Sequence, residues 1–105
     1  MIARLWHGWT SRENAEAYEA LLRGEILPGI HRVSGYRGAH LLRRDREDEV
    51  EFVTLTLFDS LDAVRAFAGE NFEMAVVSQE ARKLLARFDQ RSMHYEVALS
   101  QMSSD

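Results

Sequence analysis

The pattern of apolar and polar residues along this chain predicts four β-strands and three helices. Runs rich in β-branched and aromatic residues predict strands at 2–9, 36–44, 50–58 and 93–99. Apolar residues spaced three and four apart predict a first helix at about 11–27 and a second from Leu61 to the glycine at position 69. A third helix is predicted to begin near Ser78 and to include Leu85 and Phe88 on its apolar face.

The order of these elements predicts the fold class. It matches the ferredoxin-like split β-α-β, an α+β fold in which helices cover one face of a four-stranded antiparallel sheet. The predicted elements form a single domain over residues 1–100. Residues 101–105 are small and polar, which predicts a disordered tail.

The strand predicted at 50–58 is apolar on both of its faces. One face carries Phe52, Thr54, Thr56 and Phe58, and the other carries Val53, Leu55 and Leu57. The predicted helices can cover only one face of the sheet. A second copy of the chain is the simplest cover for the other face, because a two-fold axis lets one apolar patch complement itself. The sequence therefore predicts a homodimer whose sheets pack face to face.

Composition and charge argue against several partners. The net charge is −4, and the basic residues are scattered among Asp and Glu, so no basic face is expected to bind nucleic acid. The apolar run at the N-terminus is short and contains Arg4 and His7, which predicts neither a signal peptide nor a membrane span. The absence of cysteine is typical of a protein in a reducing compartment. We therefore expect a cytoplasmic protein with neither a membrane nor a nucleic-acid partner.

The chain contains three stretches typical of a known family: EFVTLTLFDS at 51–60, AVRAF at 63–67 and HYEV at 94–97. With these stretches it resembles the antibiotic biosynthesis monooxygenase family of small dimeric α/β-barrel proteins, over nearly its whole length. The resemblance implies a cavity between the helices and the sheet of each subunit. It also implies, from several relatives, oxygenation of polycyclic aromatic substrates without a cofactor. We therefore expect that this chain uses no cofactor.

The haem-degrading branch of that family uses an Asn in the first strand, a Trp in the second helix and a His ligand at the following helix. When the strand-to-helix junction is aligned, His7, Phe67 and the segment 77–79 occupy these three positions. None of them carries the required residue type. The resemblance therefore does not extend to haem degradation.

The quinone-forming oxygenases of the family imply a site that stabilises a substrate phenolate or carbanion, which passes an electron to dioxygen. Such a site needs a base and hydrogen-bond donors. His94 and Glu96 share one face of the last predicted strand, and a nearby carboxylate raises the pKa of an imidazole. His40 and Glu51 lie across the predicted hairpin and are expected to meet at its cavity face. His94, His40 and Glu96 are the candidate catalytic residues, and the alternative is that these pairs are surface or interface contacts.

The expected substrate-binding residues come from the first strand, the third strand and a lid. Strand alternation separates Trp6 from His7 and Trp9, so only one of these sets faces a cavity, and the sequence leaves open which one. Core or dimer packing is the alternative role for the tryptophans. The apolar link at 69–77 is expected either to cover the cavity or to fill the core. The candidates are Trp6, His7, Trp9, Glu51, Thr54, Thr56, Asn71 and Phe72.

The histidines raise the alternative of a metal site, because His7, His40 and His94 lie on three different predicted strands. Glu51 or Glu96 would then complete a facial triad of the iron-oxygenase type. No short ligand spacing such as HxH or HExxH supports such a site, so no metal is predicted.

Two functions remain after these exclusions. The first is a cofactor-independent monooxygenase that uses dioxygen on an aromatic or other apolar small molecule. It predicts a cavity of roughly 300 Å³ or more with a histidine opening onto it. The second is a non-catalytic ligand-binding or accessory dimeric protein of the same fold, which predicts that side chains fill this space.

Overall fold

The computed structural model describes residues 1–101. Its strands and helices lie at the positions that follow. They are β1 (Ile2–Ser11), α1 (Ala15–Leu21), a π-helical segment (Leu22–Ile26), α2 (Leu27–Ile30), β2 (Tyr36–Asp45), β3 (Glu49–Phe58), α3 (Leu61–Ala68), α4 (Gln79–Leu84), β4 (Leu85–Phe88) and β5 (Met93–Glu96). The division into a domain at 1–100 and a tail at 101–105 stays a prediction, because residues 102–105 lie outside the described part.

The strands form one antiparallel sheet with the order β2-β3-β1-β4, and β5 also pairs with β1. The β4 strand pairs with the end of β1 at Gly8–Thr10, whereas β5 pairs with its start at Ile2–Leu5. The α+β fold is confirmed, with one correction to the strand count. Two short strands share the edge where the sequence predicted one.

The third predicted helix is shorter than expected. Its helical part ends at Leu84, and Leu85 and Phe88 belong to β4. Apolar residues three positions apart occur in both helices and strands, so the spacing alone does not distinguish a helix from a strand at 85–88. Residues 85–88 form a strand because the outer edge of β1 needs backbone hydrogen-bond partners, and these residues supply them.

The first helix begins and ends later than predicted. Ser11 closes a turn, with its hydroxyl accepting from the Asn14 backbone N–H at 3.2 Å, and the helix begins only at Ala15. The helix also continues past Pro28 to Ile30. Pro28 is the second residue of α2, directly after the π-helical segment, and the wider helical turns before it accommodate a residue without an N–H.

The second predicted helix, α3, has the expected bounds. The Ser60 hydroxyl accepts from the Ala63 backbone N–H at 3.2 Å, and Gly69 ends the helix with φ of 90°, a value that favours glycine. Val64 of this helix is fully buried beside Phe58 of β3. The helix is thereby fixed on one face of the sheet.

The helices cover one face of the sheet, which we call the helix face, and the other is the open face. In β1 the helix face carries Arg4 and Trp6, and the open face carries Leu5, His7 and Trp9. The larger apolar side chains on the open face are partly exposed, and Leu42, Met93 and Tyr95 are 51, 46 and 51 % exposed. The homodimer that would cover this face stays a prediction. Within residues 1–101, no helix is long and apolar enough to cross a membrane.

Candidate functional site

A cavity lies between the helix face of the sheet and the helices, as expected for its location. Its wall includes Trp6 of β1, Thr54 and Thr56 of β3, Leu22 and Ile26 of the π-helical segment, and Val76 of the link before α4. Val76 is 54 % exposed, so the cavity reaches the surface beside it. Its volume is about 70 Å³ and no histidine lines it. This cavity is therefore smaller than the expected 300 Å³ or more, and the expected histidine does not open onto it.

Trp6 is held in the cavity wall by the bend between β4 and β5. Its indole N–H donates to the Asp89 carbonyl at 2.7 Å, and its ring packs against Phe88 with 5.8 Å between centroids. Gly8 leaves room for this ring, because a Cβ there would lie 3.2 Å from it and 2.9 Å from Leu85. The register of β1 thus answers the question that the sequence left open: Trp6 faces the cavity, and His7 and Trp9 face the opposite side.

Arg4 is a buried cation in the wall of the cavity, with 4 % of its surface exposed. Its guanidinium donates to the carbonyls of Phe72 at 2.6 Å and Met74 at 3.2 Å, and to His94 Nε2 at 3.0 Å. It also lies over the Phe67 ring at 5.4 Å. No carboxylate among the described residues forms an ion pair with it. Burial lowers the pKa of Arg4 to about 10, which leaves it charged at neutral pH.

Tyr18 supplies a second polar group to the cavity wall. It is 1 % exposed and packs against Phe52 with 4.9 Å between ring centroids. Burial raises the pKa of Tyr18 to about 12, with a smaller opposing effect from a hydrogen bond with Thr54. The phenol therefore stays protonated at neutral pH and can donate a hydrogen bond, but it is a poor base.

His94 and Glu96 lie outside the cavity. They flank a surface hollow beside Phe72, and Arg4 separates His94 from the cavity. Because a guanidinium can only donate, His94 Nε2 accepts from it. Burial first, and then the charge of Arg4, lower the pKa of His94, and Glu73 opposes them. The expectation that Glu96 raises this pKa is wrong.

His40 and Glu51 do not meet. His40 is exposed and lies opposite Leu55, whereas Glu51 lies opposite Arg44 and forms an ion pair with it at 2.8 Å. Both side chains belong to the open face, together with His7, whose Nδ1 lies 3.3 Å from the Asp89 carboxylate. Four positions separate the two residues along the β2–β3 register, which places them too far apart to act together.

The lid candidates occupy the outer side of the link between α3 and α4. Asn71 is exposed, and the Phe72 ring packs edge-on against His94 at 5.0 Å, so neither side chain lines the cavity. The link reaches the cavity instead through Val76 and Val77. Thr54 and Thr56 are in the wall as expected, and the Thr56 hydroxyl donates to the Arg4 carbonyl at 3.4 Å.

The three candidate metal-binding histidines are not brought together. His7 and His40 are on the open face, and His94 is at the opposite edge beside Arg4. Among residues 1–101 no group of three His, Cys, Asp or Glu side chains is arranged to hold a metal ion.

Sequence reasoning missed Arg4, Tyr18 and Phe67 as wall residues. Arg4 was noted only as an interruption of an apolar run, and Tyr18 only as an apolar position of the first helix. One signal was present, because Arg4 shares its strand face with Trp6 and opposes Thr56 in β3. A charge on the face that helices cover is unusual and indicates a specific role.

Comparison with known proteins identifies the family. The sequence profile described as antibiotic biosynthesis monooxygenase matches residues 1–71. The chain belongs to this family. No curated protein sequence matches the chain significantly.

Solved structures of this type are similar to the chain over nearly its full length. A putative antibiotic biosynthesis monooxygenase from Bacillus cereus has a TM-score of 0.70 at 15 % identity, covering 100 % of this chain and 98 % of its own. ActVA-Orf6 of Streptomyces coelicolor, a monooxygenase in complex with nanaomycin D, has a TM-score of 0.64 at 15 % identity, covering 98 and 92 %. SnoaB, a cofactor-independent oxygenase from Streptomyces nogalater, has a TM-score of 0.53 at 19 % identity, covering 99 and 98 %. At these identities the similarity shows the fold alone.

Proposed function

We propose that the protein is a small monooxygenase that oxygenates an aromatic or other apolar molecule with dioxygen and without a cofactor. The observation that carries this proposal is the buried guanidinium of Arg4, which is unpaired with any described carboxylate and lies in a wall shared with Trp6 and Phe67. Family membership and the cofactor-independent activity of SnoaB support it. The reaction needs a site that binds a flat molecule and stabilises a negative charge on it, and these three residues suit that task.

Arg4 supplies the charge stabilisation in this proposal. A cation next to an acidic group typically lowers its pKa by about 1–3 units, so a phenol bound beside Arg4 ionises more readily. Tyr18 donates a hydrogen bond to the same anion. No imidazole or carboxylate among the described residues lines the cavity, so the phenol proton leaves to water at the mouth beside Val76.

The chemistry balances without an added reductant. The phenolate gives one electron to dioxygen, and the superoxide then joins the ring carbon para to the oxygen as a peroxide. Loss of water from the peroxide leaves a quinone. One phenol that carries a para hydrogen and one dioxygen thus become one quinone and one water, and the substrate supplies all the electrons. The fixed charge of Arg4 favours the anionic species along this path.

Substrate entry requires movement of the link at 69–78 between α3 and α4. A cavity of about 70 Å³ has room for about two water molecules, whereas ligand sites are commonly ~300 Å³ or larger. The link has no helix or strand of its own, and Arg4 ties it to β1 through the Phe72 and Met74 carbonyls. We propose that the link opens at Val76 to admit the apolar part of the substrate.

The proposal includes a homodimer through the open face. The exposed Leu42, Met93 and Tyr95 support it, because a monomer would leave this apolar surface in water. A cytoplasmic location is part of the proposal too, supported by the cysteine-free sequence.

A second candidate is a protein that binds a small ligand without transforming it. The observation in its favour is the same wall, which contains a cation and hydroxyl groups but no described imidazole or carboxylate to act as a base. A site of this kind can bind an anionic ligand whether or not the bound ligand then reacts.

Oxygen uptake separates the two candidates. The purified protein is incubated with polycyclic phenols that carry a para hydrogen while dissolved oxygen and quinone absorbance are followed together. The monooxygenase proposal expects one dioxygen consumed per quinone formed, unchanged by a metal chelator. Saturable binding of the same compounds with no oxygen uptake above the protein-free rate would favour the binding protein.

A further inference from the structure

The wall of the cavity contains two polar groups whose hydrogen-bonding capacity is incompletely used. A guanidinium has five N–H donors. Among residues 1–101, Arg4 uses three of them, in hydrogen bonds to two carbonyls and to His94. Two of its N–H groups therefore have no acceptor within the described chain. A buried cation in this state is costly unless an anion completes it.

Ser92 is the second group, and it lines the same cavity. It is 5 % exposed, and its hydroxyl has no hydrogen-bond partner among the described residues. Its backbone N–H donates to the Glu73 carbonyl at 2.7 Å, so the residue is fixed in place while its side chain stays unsatisfied. Buried hydroxyl groups nearly always have partners, and an exception indicates a binding role or a missing ligand.

We propose that Arg4 and Ser92 form a subsite for the carboxylate of an aromatic carboxylic acid. This proposal rests on the monooxygenase proposal and narrows its substrate class to aromatic acids whose phenol oxygen is ortho to the carboxylate, so that both groups lie beside Arg4. Three unused donors suit a group with two anionic oxygens, since a guanidinium binds a carboxylate through two parallel hydrogen bonds and the hydroxyl adds a third. A lone phenolate oxygen would leave part of this set unused.

The size of the cavity is consistent with this assignment. Its volume of about 70 Å³ fits one small polar group but no ring system. The carboxylate enters the preformed cavity, and the ring lies between Trp6 and the opened link at Val76. The pKa of Arg4, lowered by burial to about 10, keeps the cation available at neutral pH.

The test compares acids with their amides in the absence of oxygen. Titration calorimetry measures the binding of 1-naphthoate and benzoate, and of 1-naphthamide and benzamide, which have the same rings without the charge. Each acid is expected to bind at least about ten-fold more tightly than its amide, as a charged hydrogen-bonded pair predicts. Equal affinities of acid and amide, or no binding of either acid at millimolar concentration, would overturn the proposal.

Variants assign the effect to the subsite. Ser92→Ala removes a hydroxyl that has no partner among residues 1–101, so the fold is expected to be retained, and acid affinity is expected to fall about five-fold with amide affinity unchanged. Thr10→Val is the matched control, because the Thr10 hydroxyl is also buried without a partner in the described part of the chain, but Thr10 does not line the cavity. Arg4→Lys keeps the charge and loses the paired donors, and it should weaken acid binding further than Ser92→Ala. A loss of acid affinity in Thr10→Val equal to that in Ser92→Ala would contradict the assignment.

Failure of this subsite and failure of the proposed function give different results. Oxygen uptake with phenols but no preference for acids over amides would reject the subsite and leave the monooxygenase proposal standing. Selective acid binding with no oxygen uptake on any compound would retain the subsite in a binding protein.

Discussion

The two faces of the sheet differ in how they treat charge. On the open face, charged side chains are paired: Glu51 with Arg44 at 2.8 Å and Arg87 with Glu49 at 2.7 Å. On the helix face, Arg4 is the one buried charged residue among residues 1–101, and it has no carboxylate partner there. A buried charge ordinarily needs a partner of opposite charge. A buried Arg4 without a carboxylate partner among residues 1–101 is therefore unfavourable for the stability of the fold. This difference is consistent with the proposed ligand site on the helix face and the proposed dimer contact on the open face.

The largest expected effect tests which face forms the core of one chain. Phe52 of the helix face is fully buried, and Phe52→Ala should lower the free energy of unfolding by about 3–5 kcal/mol. Val53→Ala, on the open face of the same strand, should cost less than about 1.5 kcal/mol in dilute protein. Urea denaturation at two protein concentrations measures both. Similar costs for the two variants in monomeric protein would mean that the open face is as well packed as the helix face.

Replacement of Arg4 tests whether the buried cation of the helix face is needed for activity. Arg4→Gln should lower kcat/KM for oxygen uptake by about 100-fold, in line with the loss of a group that stabilises an anionic transition state. Arg37→Gln is the matched control, since Arg37 is exposed and pairs with Asp59 through two bonds, one of 2.7 Å. Full activity in Arg4→Gln would remove Arg4 from the mechanism.

A charge on the open face tests assembly. Leu42 is 51 % exposed on this face, so Leu42→Asp leaves the core of the chain unchanged, and the dimer dissociation constant should rise at least about ten-fold. Leu61→Asp is the control, because Leu61 is 37 % exposed but belongs to α3. Sedimentation measures both variants. A wild-type protein that is monomeric at micromolar concentration would contradict the proposed dimer.

The smallest effect concerns pH and His94. Its pKa is lowered from the ordinary 6.5 by burial and by the charge of Arg4. The unfolded chain therefore binds more protons than the folded chain just below pH 6.5, so stability rises with pH through this window and is lost as the pH falls. Thermal unfolding from about pH 7 to about pH 5 should show a smaller decrease in His94→Gln than in the wild type.

The Glu73 carboxylate provides a check of opposite sign. It raises the pKa of His94, so Glu73→Gln should deepen the loss of stability over the same window. Identical pH profiles in the wild type and both variants would show that folding does not lower the pKa of His94.

Local sequence signals were sufficient for several elements. Helix α3 begins at Leu61 and ends before Gly69 as the sequence predicts, because the Ser60 hydroxyl cap and the positive φ of Gly69 are local requirements. Leu85 and Phe88 show the limit of such signals. Their spacing suits a helix, and only the unpaired edge of β1 makes them a strand.

The site was predicted less well than the fold. Trp6, Thr54 and Thr56 lie in the cavity wall as expected, but His94 and Glu96 lie outside it, and His40 and Glu51 face the other way. Titratable residue types drew attention to the histidines, whereas the position of Arg4 opposite Thr56 was the informative feature.

The sequence by itself determined which residues share a face of each strand, because side chains alternate with a period of two. It therefore separated Trp6 from His7 and Trp9, and it required a cover on both faces of the third strand. Only the tertiary structure decided which face the helices cover, since alternation treats the two faces alike. That choice places Arg4, Trp6 and Ser92 around one cavity and leaves His7 on the open face.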